Sequence, residues 1–436
     1  MQELTRYAIV GTGGRYAMYL RAIARDFNNR GRVVGLCDIN PHRVKLASEY
    51  HEKLGGAALP TYGADTFDAM IAETKPDVVI VTSVDRTHDR YIIRAMELGC
   101  DVISEKPMTT DADKCQSIID AMATTGRKLR VTFNYRYAPR NSKVKELLMQ
   151  RVVGNIKSVH FEWLLDTRHG ADYFRRWHRD KRNSGGLLVH KATHHFDLVN
   201  WWLASHPRTV FAMGDLVFYG RDNAESRGVT DFYQRGTDDP IAAGDPFALD
   251  LRKDKLLKRI YFDGEHADGY RRDQSVFSDG ISIEDDMSVL VRYENRVTMT
   301  YHLTAYSPWE GYRVAFNGDA GRLEYEVHEN SYISGAEDDA NRADAGDIEI
   351  HEPARIMVRP HWRAPYEVTL DNLDETGHGG GDARLLQDLF DPGEDDPLGR
   401  AANHIDGARS ILTGIAANRS IQTGLPVDVR SLVRFN

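Results

Sequence analysis

Tyr7-Ala8-Ile9-Val10-Gly11-Thr12-Gly13-Gly14-Arg15-Tyr16-Ala17-Met18-Tyr19-Leu20 begins as an apolar run rich in β-branched residues and breaks abruptly into glycines. An amphipathic run follows, with Met18, Leu20, Ile23 and Phe27 as its apolar members. The pattern predicts strand, tight turn, helix. Glycine permits positive φ and lets a ligand approach without a Cβ in the way. The first-turn N–H groups of a helix, with its dipole, favour an anion in that turn. A pyrophosphate is the guest this geometry suits, with Gly11, Gly13, Gly14, Arg15 and Tyr16 as its cradle. Tyr16 stands where a third small residue is usual in a dinucleotide fingerprint, so the motif is incomplete.

Working outward, Val33-Val34-Gly35-Leu36-Cys37 is a second apolar run ending in Asp38. An acid a little over twenty residues past the glycines is placed to accept hydrogen bonds from the adenosine ribose and to repel a 2′-phosphate. NAD is therefore expected over NADP, although Arg15, His42 and Arg43 keep NADP in view. The competing reading of Asp38 is an N-cap for the helix announced by Asn40-Pro41. Three more β/α units follow, with strands at Val78–Val81, Val102–Ser104 and Leu129–Asn134. Strands alternating with helices of this length predict a doubly wound parallel sheet, a Rossmann domain over residues 1–135.

After Asn134 the alternation stops. Residues 136–436 predict an α+β domain with a mostly antiparallel open sheet for substrate binding and dimerisation. The strand Ile156–Leu165 and the hairpins Met287–His302 and Tyr312–Val327 belong to it. A helix is expected over 185–204. Residues 220–282 are long, polar and broken by Gly and Pro, the marks of an insertion. Residues 335–347 form an acidic loop. Helices Asp382–Phe390 and Ala401–Asn418 (the stretch 382–418) close the chain.

Composition narrows the function classes. The chain has 436 residues, enough for two domains, and a net charge of −9, which argues against nucleic acid or anionic membrane as partner. No apolar run approaches the ~20 residues of a membrane span. Cys37, Cys100 and Cys115 are few and widely spaced, so neither disulfides nor a zinc knuckle is indicated. A cytoplasmic protein of a reducing compartment is expected.

Two stretches could carry chemistry. Glu105-Lys106-Pro107 ends a strand of the parallel sheet, where such sheets bind their ligands. A lysine there points toward the nicotinamide end of a dinucleotide; otherwise it is a surface lysine before a helix-starting proline. In Gly185–Leu198, His190, His194 and Asp197 fall at i, i+4 and i+7, one face of a helix, with Lys191 and His195 on the next. No Glu follows His190 as in zincins and no cysteine ligand is at hand, so no metal is expected. A histidine titrating near neutrality suits abstraction of a hydroxyl proton while hydride leaves the same carbon. Tyr173, Arg176, Trp177 and His178 just before this helix, and Tyr306 and Trp309 further on, offer aromatic faces and guanidinium forks for a sugar ring. The plainer reading of 172–179 is a solvated basic loop.

On the GTGGR turn, Glu105-Lys106-Pro107, Asn134-Tyr135-Arg136-Tyr137, the GG…HHxD helix and the hairpins, the chain resembles the Gfo/Idh/MocA family of glucose–fructose oxidoreductase and inositol dehydrogenase type. The resemblance implies NAD(P)-dependent oxidation or reduction of a sugar or cyclitol carbon, and a homo-oligomer (dimer or tetramer) formed through the open sheet. It assigns Lys106 to the contact with nicotinamide ribose and substrate, and His194 to the general base. Lys191 and His190 assist, Tyr135 is placed at the substrate, and Ser83, His88, Glu105 and Asn134 lie by the cofactor. One departure stands out: His190 occupies the position of the family's aspartate, so no carboxylate on that helix orients His194. Some relatives with the same scaffold keep NAD bound and cleave glycosides by transient oxidation, elimination, hydration and re-reduction. Their GxRx turn and His378-Gly379-Gly380-Gly381-Asp382 are matched here, which makes that reaction the alternative to net oxidation.

Overall fold

A computed structural model of the chain describes residues 3–330, 332–333, 352–370, 376–393 and 395–435. The expected acidic loop 335–347 and the His378 side chain lie outside the described residues.

Six parallel strands form the first sheet: β1 (Thr5–Val10), β2 (Gly31–Cys37), β3 (Thr61–Tyr62), β4 (Val78–Val81), β5 (Asp101–Ser104) and β6 (Leu129–Val131), in the order β3-β2-β1-β4-β5-β6. The order reverses direction between β1 and β4, and a doubly wound sheet binds its ligand in the crevice at that point. Ile9, Val79, Ile80 and Val81 are fully buried, as strands covered on both faces must be. The last strand is shorter than expected. It stops at Val131, and Asn134–Tyr137 form a 3-10 turn that carries Asn134 and Tyr135 out at the carboxyl end of the sheet.

The second sheet has nine strands: β7 (Ile156–Asp166), β8 (Pro207–Asp215), β9 (Asp286–Tyr293), β10 (Thr298–Ser307), β11 (Gly311–Gly318), β12 (Gly321–His328), β13 (Glu352–Pro360), β14 (Tyr366–Val368) and β15 (Val427–Asp428). It is antiparallel apart from the β7–β10 pair. The hairpin register, with Tyr301 opposite Val289 and Val314 opposite Tyr325, sends one side of each strand inward. Helices cover that side. The other side leaves Leu290 and Met213 exposed.

Helix His404–Thr423 ties the two halves together. It begins with a full capping box at Asn403 and Asp406 and ends at Gly424 in the left-handed region. A Cβ at Gly407 would crowd Val131 and Met108 of the first half, and one at Gly414 would overlap the backbone of Leu188 in the second. The small residues along this helix therefore let it fix the segment 187–190 against the Rossmann sheet.

That segment is where the structure departs most from the expected single helix. The chain forms Leu187–His190, turns through Lys191-Ala192, and resumes as Thr193–Leu203. His190, His194 and Asp197 consequently do not share one face. Asp197 is buried and takes a two-pronged ion pair from Arg136 (2.6 and 2.8 Å). Residues 169–184 are not a solvated loop: helix His169–Arg175, a 3-10 turn and helix Lys181–Ser184 bury Tyr173, Phe174, Arg175 and His178.

Candidate active site

Gly11, at φ +90°, closes the end of β1, and a Cβ there would overlap the backbone of Ser83 beyond β4. Above Gly13 and Gly14 a Cβ would meet only the Tyr261 hydroxyl, at 3.9 and 3.8 Å, so the turn is open on its ligand side. Asp38 is buried beside this turn. One carboxylate oxygen accepts from Thr12 N and Oγ1 (2.5 and 3.0 Å), the other from Asn40 N (2.7 Å) and Arg43 (3.2 Å). The helix cap foreseen as an alternative for Asp38 belongs to Asn40, whose side chain accepts from His42 and Arg43 backbone N–H groups. A glycine turn open to solvent, with an acid at the end of the next strand, fits a dinucleotide.

Arg15 spans the cleft. It donates to Glu105 (2.6 Å) and to both carboxylate oxygens of Asp382 (2.9 and 3.2 Å). Tyr19 also donates to Glu105 (2.7 Å), and Asn134 to Asp382 (2.7 Å). Burial alone would raise the Glu105 carboxyl; Arg15 and Tyr19 hold it below its ordinary value. Gly381 is pressed against the Asn134 carbonyl, which brings Asp382 within reach. His88 sits below this network, its ring nitrogens against the carbonyls of Pro107 (2.8 Å) and Ser83 (2.9 Å). It therefore locks the β4 loop to the Glu105–Pro107 segment instead of facing a ligand. Tyr16 is buried next to Tyr50 and Tyr261.

Lys106 leaves the end of β5 with its ammonium 3.5 Å from the His190 carbonyl. Burial pulls it down to about 8, against the attraction of Asp85 and Glu105. His190 Nδ1 lies 2.5 Å from Asp85 Oδ2. Burial, with Lys106, Arg176 and Lys191 nearby, holds His190 well below the ordinary imidazole value, so the ring is neutral at pH 7. Burial also raises the Asp85 carboxyl well above its ordinary value, against the pull of Lys106 and Arg176, so the two groups share one proton across this contact. The carboxylate missing from the helix is thus supplied by the β4 loop, and to His190 rather than to His194. Nothing in the sequence marked Asp85 beyond its place inside the segment Ser83–His88.

His194 stacks on Tyr135 (4.5 Å), which stacks in turn on Trp163 (5.9 Å). Lys191 lies over the Trp163 ring (5.0 Å) among Glu310, Glu329 and Asp166. Burial lowers Lys191, and these acids oppose the fall. His195 faces inward, bonded to Tyr301 (2.7 Å) and stacked on Trp163 (4.0 Å), a core histidine.

Trp177 stacks on His178 (3.5 Å), and His178 meets the His190 ring edge-on (4.2 Å). His178 is 1% exposed, and neither ring nitrogen has a hydrogen-bond partner. Tyr173 packs against both histidines, and its hydroxyl contacts His169 Nε2 (3.1 Å). His169 Nδ1 is 2.8 Å from Glu310 Oε1. Arg176 donates to Asp172 (2.6 Å), which also takes two bonds from Arg272.

Two expected substrate residues go elsewhere. Tyr306 stacks on Phe218 (4.8 Å) and donates to Asp286 (2.9 Å), and Trp309 stacks on His328 (4.9 Å). Glu310 of that stretch turns inward, as do Ser307 and Tyr312. No group of three or more His, Cys, Asp or Glu side chains among the described residues is arranged to hold a metal.

Fold and site together define a dinucleotide-binding enzyme with a separate second sheet. The chain belongs to the Gfo/Idh/MocA oxidoreductase family: residues 5–133 match the family's NAD-binding Rossmann fold and residues 145–429 its C-terminal alpha/beta domain. YteT of Bacillus subtilis (strain 168), described only as an oxidoreductase, is 33% identical over 96% of both chains. D-glucoside 3-dehydrogenase of Escherichia coli (strain K12) is 31% identical over 35% of this chain and 41% of its own. Glycosyl hydrolase family 109 protein 1 of Akkermansia muciniphila is 26% identical over 43% of this chain and 40% of its own. The protein is an NAD(P)-binding oxidoreductase.

Proposed function

We propose that the protein is an NAD-preferring oxidoreductase that moves hydride between a carbinol carbon of a sugar or sugar derivative and the nicotinamide. The observation that carries this reading is the placement of Lys106 and the His190–Asp85 pair at the carboxyl ends of the neighbouring strands β5 and β4. When bound, the dinucleotide supplies the hydride acceptor.

The chain's own residues handle the proton. Lys106, brought down to about 8 by burial, can be neutral or charged near physiological pH and serves the substrate oxygen as acceptor or donor. His190, joined to Asp85 through Nδ1, turns Nε2 to the same place as a second proton-handling atom. His194 on Tyr135 and Lys191 on Trp163 form the adjoining wall and are assigned to the same oxygen or its neighbour. His178, Trp177 and Tyr173 face the sugar ring, and Arg176 suits a substrate with an anionic substituent. Asp38 favours NAD over NADP, because a 2′-phosphate would meet its carboxylate while Arg43 is already shared between Asp38 and Asp268.

One observation favours a second reading, the redox-neutral cleavage of glycosides. The hydrogen-bonded chain Tyr173–His169–Glu310 adjoins the His190 ring and offers a second set of groups for the further proton transfer that elimination needs. A second copy of the chain is expected on the open sheet face around Leu290 and Met213, in keeping with a homo-oligomer. A panel of free sugars and nitrophenyl glycosides, read together for reduced cofactor and released aglycone, separates the two. Reduced cofactor with free sugars supports the first reading, and aglycone release without net reduction replaces it with the second.

A further inference from the structure

The end of helix His169–Arg175 carries more positive charge than the residues around it balance. Asp172 lies at its centre. It takes hydrogen bonds from Arg176 (2.6 Å) and Arg272 (2.7 and 3.1 Å), and Arg175 stands at 3.8 Å. Among the described residues, Asp172 is the only carboxylate in ion-pair contact with any of the three. Three guanidiniums therefore meet one acid, in a place where the Arg175 and Arg272 side chains are 2% and 3% exposed. A guanidinium cannot lose its proton to relieve this, and a buried charge without a counter-charge is costly. The surplus has a definite address. Arg175 turns its Nε to the Phe247 carbonyl (2.8 Å). Arg272 gives both terminal nitrogens to Asp172, and its neighbour Asp273 is anchored by Arg235 and the Thr237 N–H. Arg176, with a side chain 30% exposed, is the one left open. It gives Nη1 to Asp172, while Nε and Nη2 have no hydrogen-bond partner among the described residues. That edge of the guanidinium is the one that grips a carboxylate with two parallel bonds.

Arg176 stands next to the reacting groups. Trp177, the following residue, stacks on His178, and the His178 ring meets His190 edge-on. Burial, then the Arg176 charge, keeps His178 well below the ordinary imidazole value, and the same charge bears on His190 after burial and Lys106. The neutral His178 ring carries one N–H donor and one acceptor, neither with a partner among the described residues. We infer that Arg176 and His178 form a carboxylate subsite, so that the carbohydrate this enzyme takes is a sugar acid of the uronate class. The inference rests on the proposed transfer of hydride from a sugar carbon and names the kind of sugar. One open guanidinium edge matches one planar carboxylate. The other wall has a different character: Glu310, Glu329 and Asp166 around Lys191 suit the hydroxyls of the ring. The acid end of the sugar is thereby directed to Arg176, which gives the substrate a single orientation across Lys106 and His190.

The test is the binding preference of the full-length protein loaded with NADH, which cannot oxidise the probes. The probes are the methyl glycosides of D-glucuronate and D-galacturonate, of their methyl esters, and of D-glucose and D-galactose, with the two hexose 6-phosphates beside them. Titration followed by protein fluorescence should show one uronate bound about tenfold or more tightly than its ester and its neutral parent. Arg176→Gln should remove that preference, and Arg176→Lys should restore part of it. Asp172 keeps both bonds from Arg272 in these variants, so their unfolding temperatures should stay near that of the wild type. Their affinity for NADH should also be unchanged. A wild-type protein that binds neither uronate better than its ester overturns the subsite, as does a preference that survives in Arg176→Gln. Tighter binding of the 6-phosphates overturns it too. Loss of NADH affinity in Arg176→Gln with the uronate preference intact would assign the surplus charge to the dinucleotide and overturn it equally. If neutral glycosides reduce NAD with the same kcat/KM as the uronates, the subsite is wrong and the proposed function stands. If a uronate binds with the predicted preference but passes no hydride to NAD, the subsite stands and the proposed function falls.

Discussion

His190 Nδ1 and Asp85 Oδ2 lie 2.5 Å apart, joining the turn after Leu187–His190 to the loop after β4 across 105 positions of sequence. The pair orients the imidazole and seats it beside Lys106. Replacing Asp85 with Asn keeps the shape but offers the ring an amide that can stabilise the wrong tautomer. Turnover by Asp85→Asn should fall by about 10²–10⁴-fold, the usual worth of a positioned acid–base group. NAD binding followed by protein fluorescence should be unchanged. Wild-type turnover in this variant would remove the pair from the mechanism.

Lys106 gives a pH dependence with a definite sign. Burial holds it at about 8, below the ordinary lysine value. Oxidation needs the neutral amine as proton acceptor, so kcat for oxidation should rise with pH and level off above about 8. Carbonyl reduction needs the ammonium and should fall over the same interval. Lys106→Met should abolish both limbs in rate–pH profiles while the protein still binds NAD. A profile in Lys106→Met with the wild-type inflection would assign it to another group.

Asp38 is predicted to set the cofactor preference. In Asp38→Ala the carboxylate that repels a 2′-phosphate is gone, and Arg43 is released from one of its two acids. The ratio of NAD to NADP affinity should shift toward NADP by about tenfold, equivalent to 1.4 kcal/mol. Titration of both dinucleotides measures it. An unchanged ratio would reduce Asp38 to its structural bonds with Thr12 and Asn40.

Asp197, read from the sequence as part of the reactive helix face, is predicted to matter for stability instead. Its removal in Asp197→Ala leaves the Arg136 guanidinium, 3% exposed, with the more exposed Asp406 at 3.3 Å as its remaining acid and the Gly399 carbonyl at 3.3 Å. Breaking such a buried pair costs about 3–5 kcal/mol. Denaturant unfolding should show that loss, and the KM for substrate in the folded variant should be unchanged.

What the sequence made legible was local. The strand–turn–helix around Gly11, the acid after β2, and Lys106 at a strand end follow from runs of a few residues, and those are the parts that the structure brings to one crevice. The residues the sequence misplaced depend on long-range meetings. Asp85 acts only because the chain returns 105 residues later, and Glu310 acts through His169, 141 residues away. The alternation read over Val297–His302 placed Tyr301 inward, and the burial alternation of β10 runs on to Ser307. Tyr306 and Trp309 were expected at the substrate for their aromatic faces, a cue that does not say which side of the sheet a ring lies on. The break at Lys191-Ala192 was hidden for a related reason. Both residues keep right-handed helical backbone angles, and no Gly or Pro marks the break.

The most direct test of the account is the fate of the hydride. A sugar that the panel identifies as a substrate, deuterated at its reacting carbinol carbon, is mixed with the NAD-loaded protein in a single turnover, and the cofactor is recovered and weighed by mass spectrometry. The account predicts one deuterium on the nicotinamide ring, absent when Lys106→Met is used. Consumption of the sugar with no deuterium reaching the cofactor would contradict it.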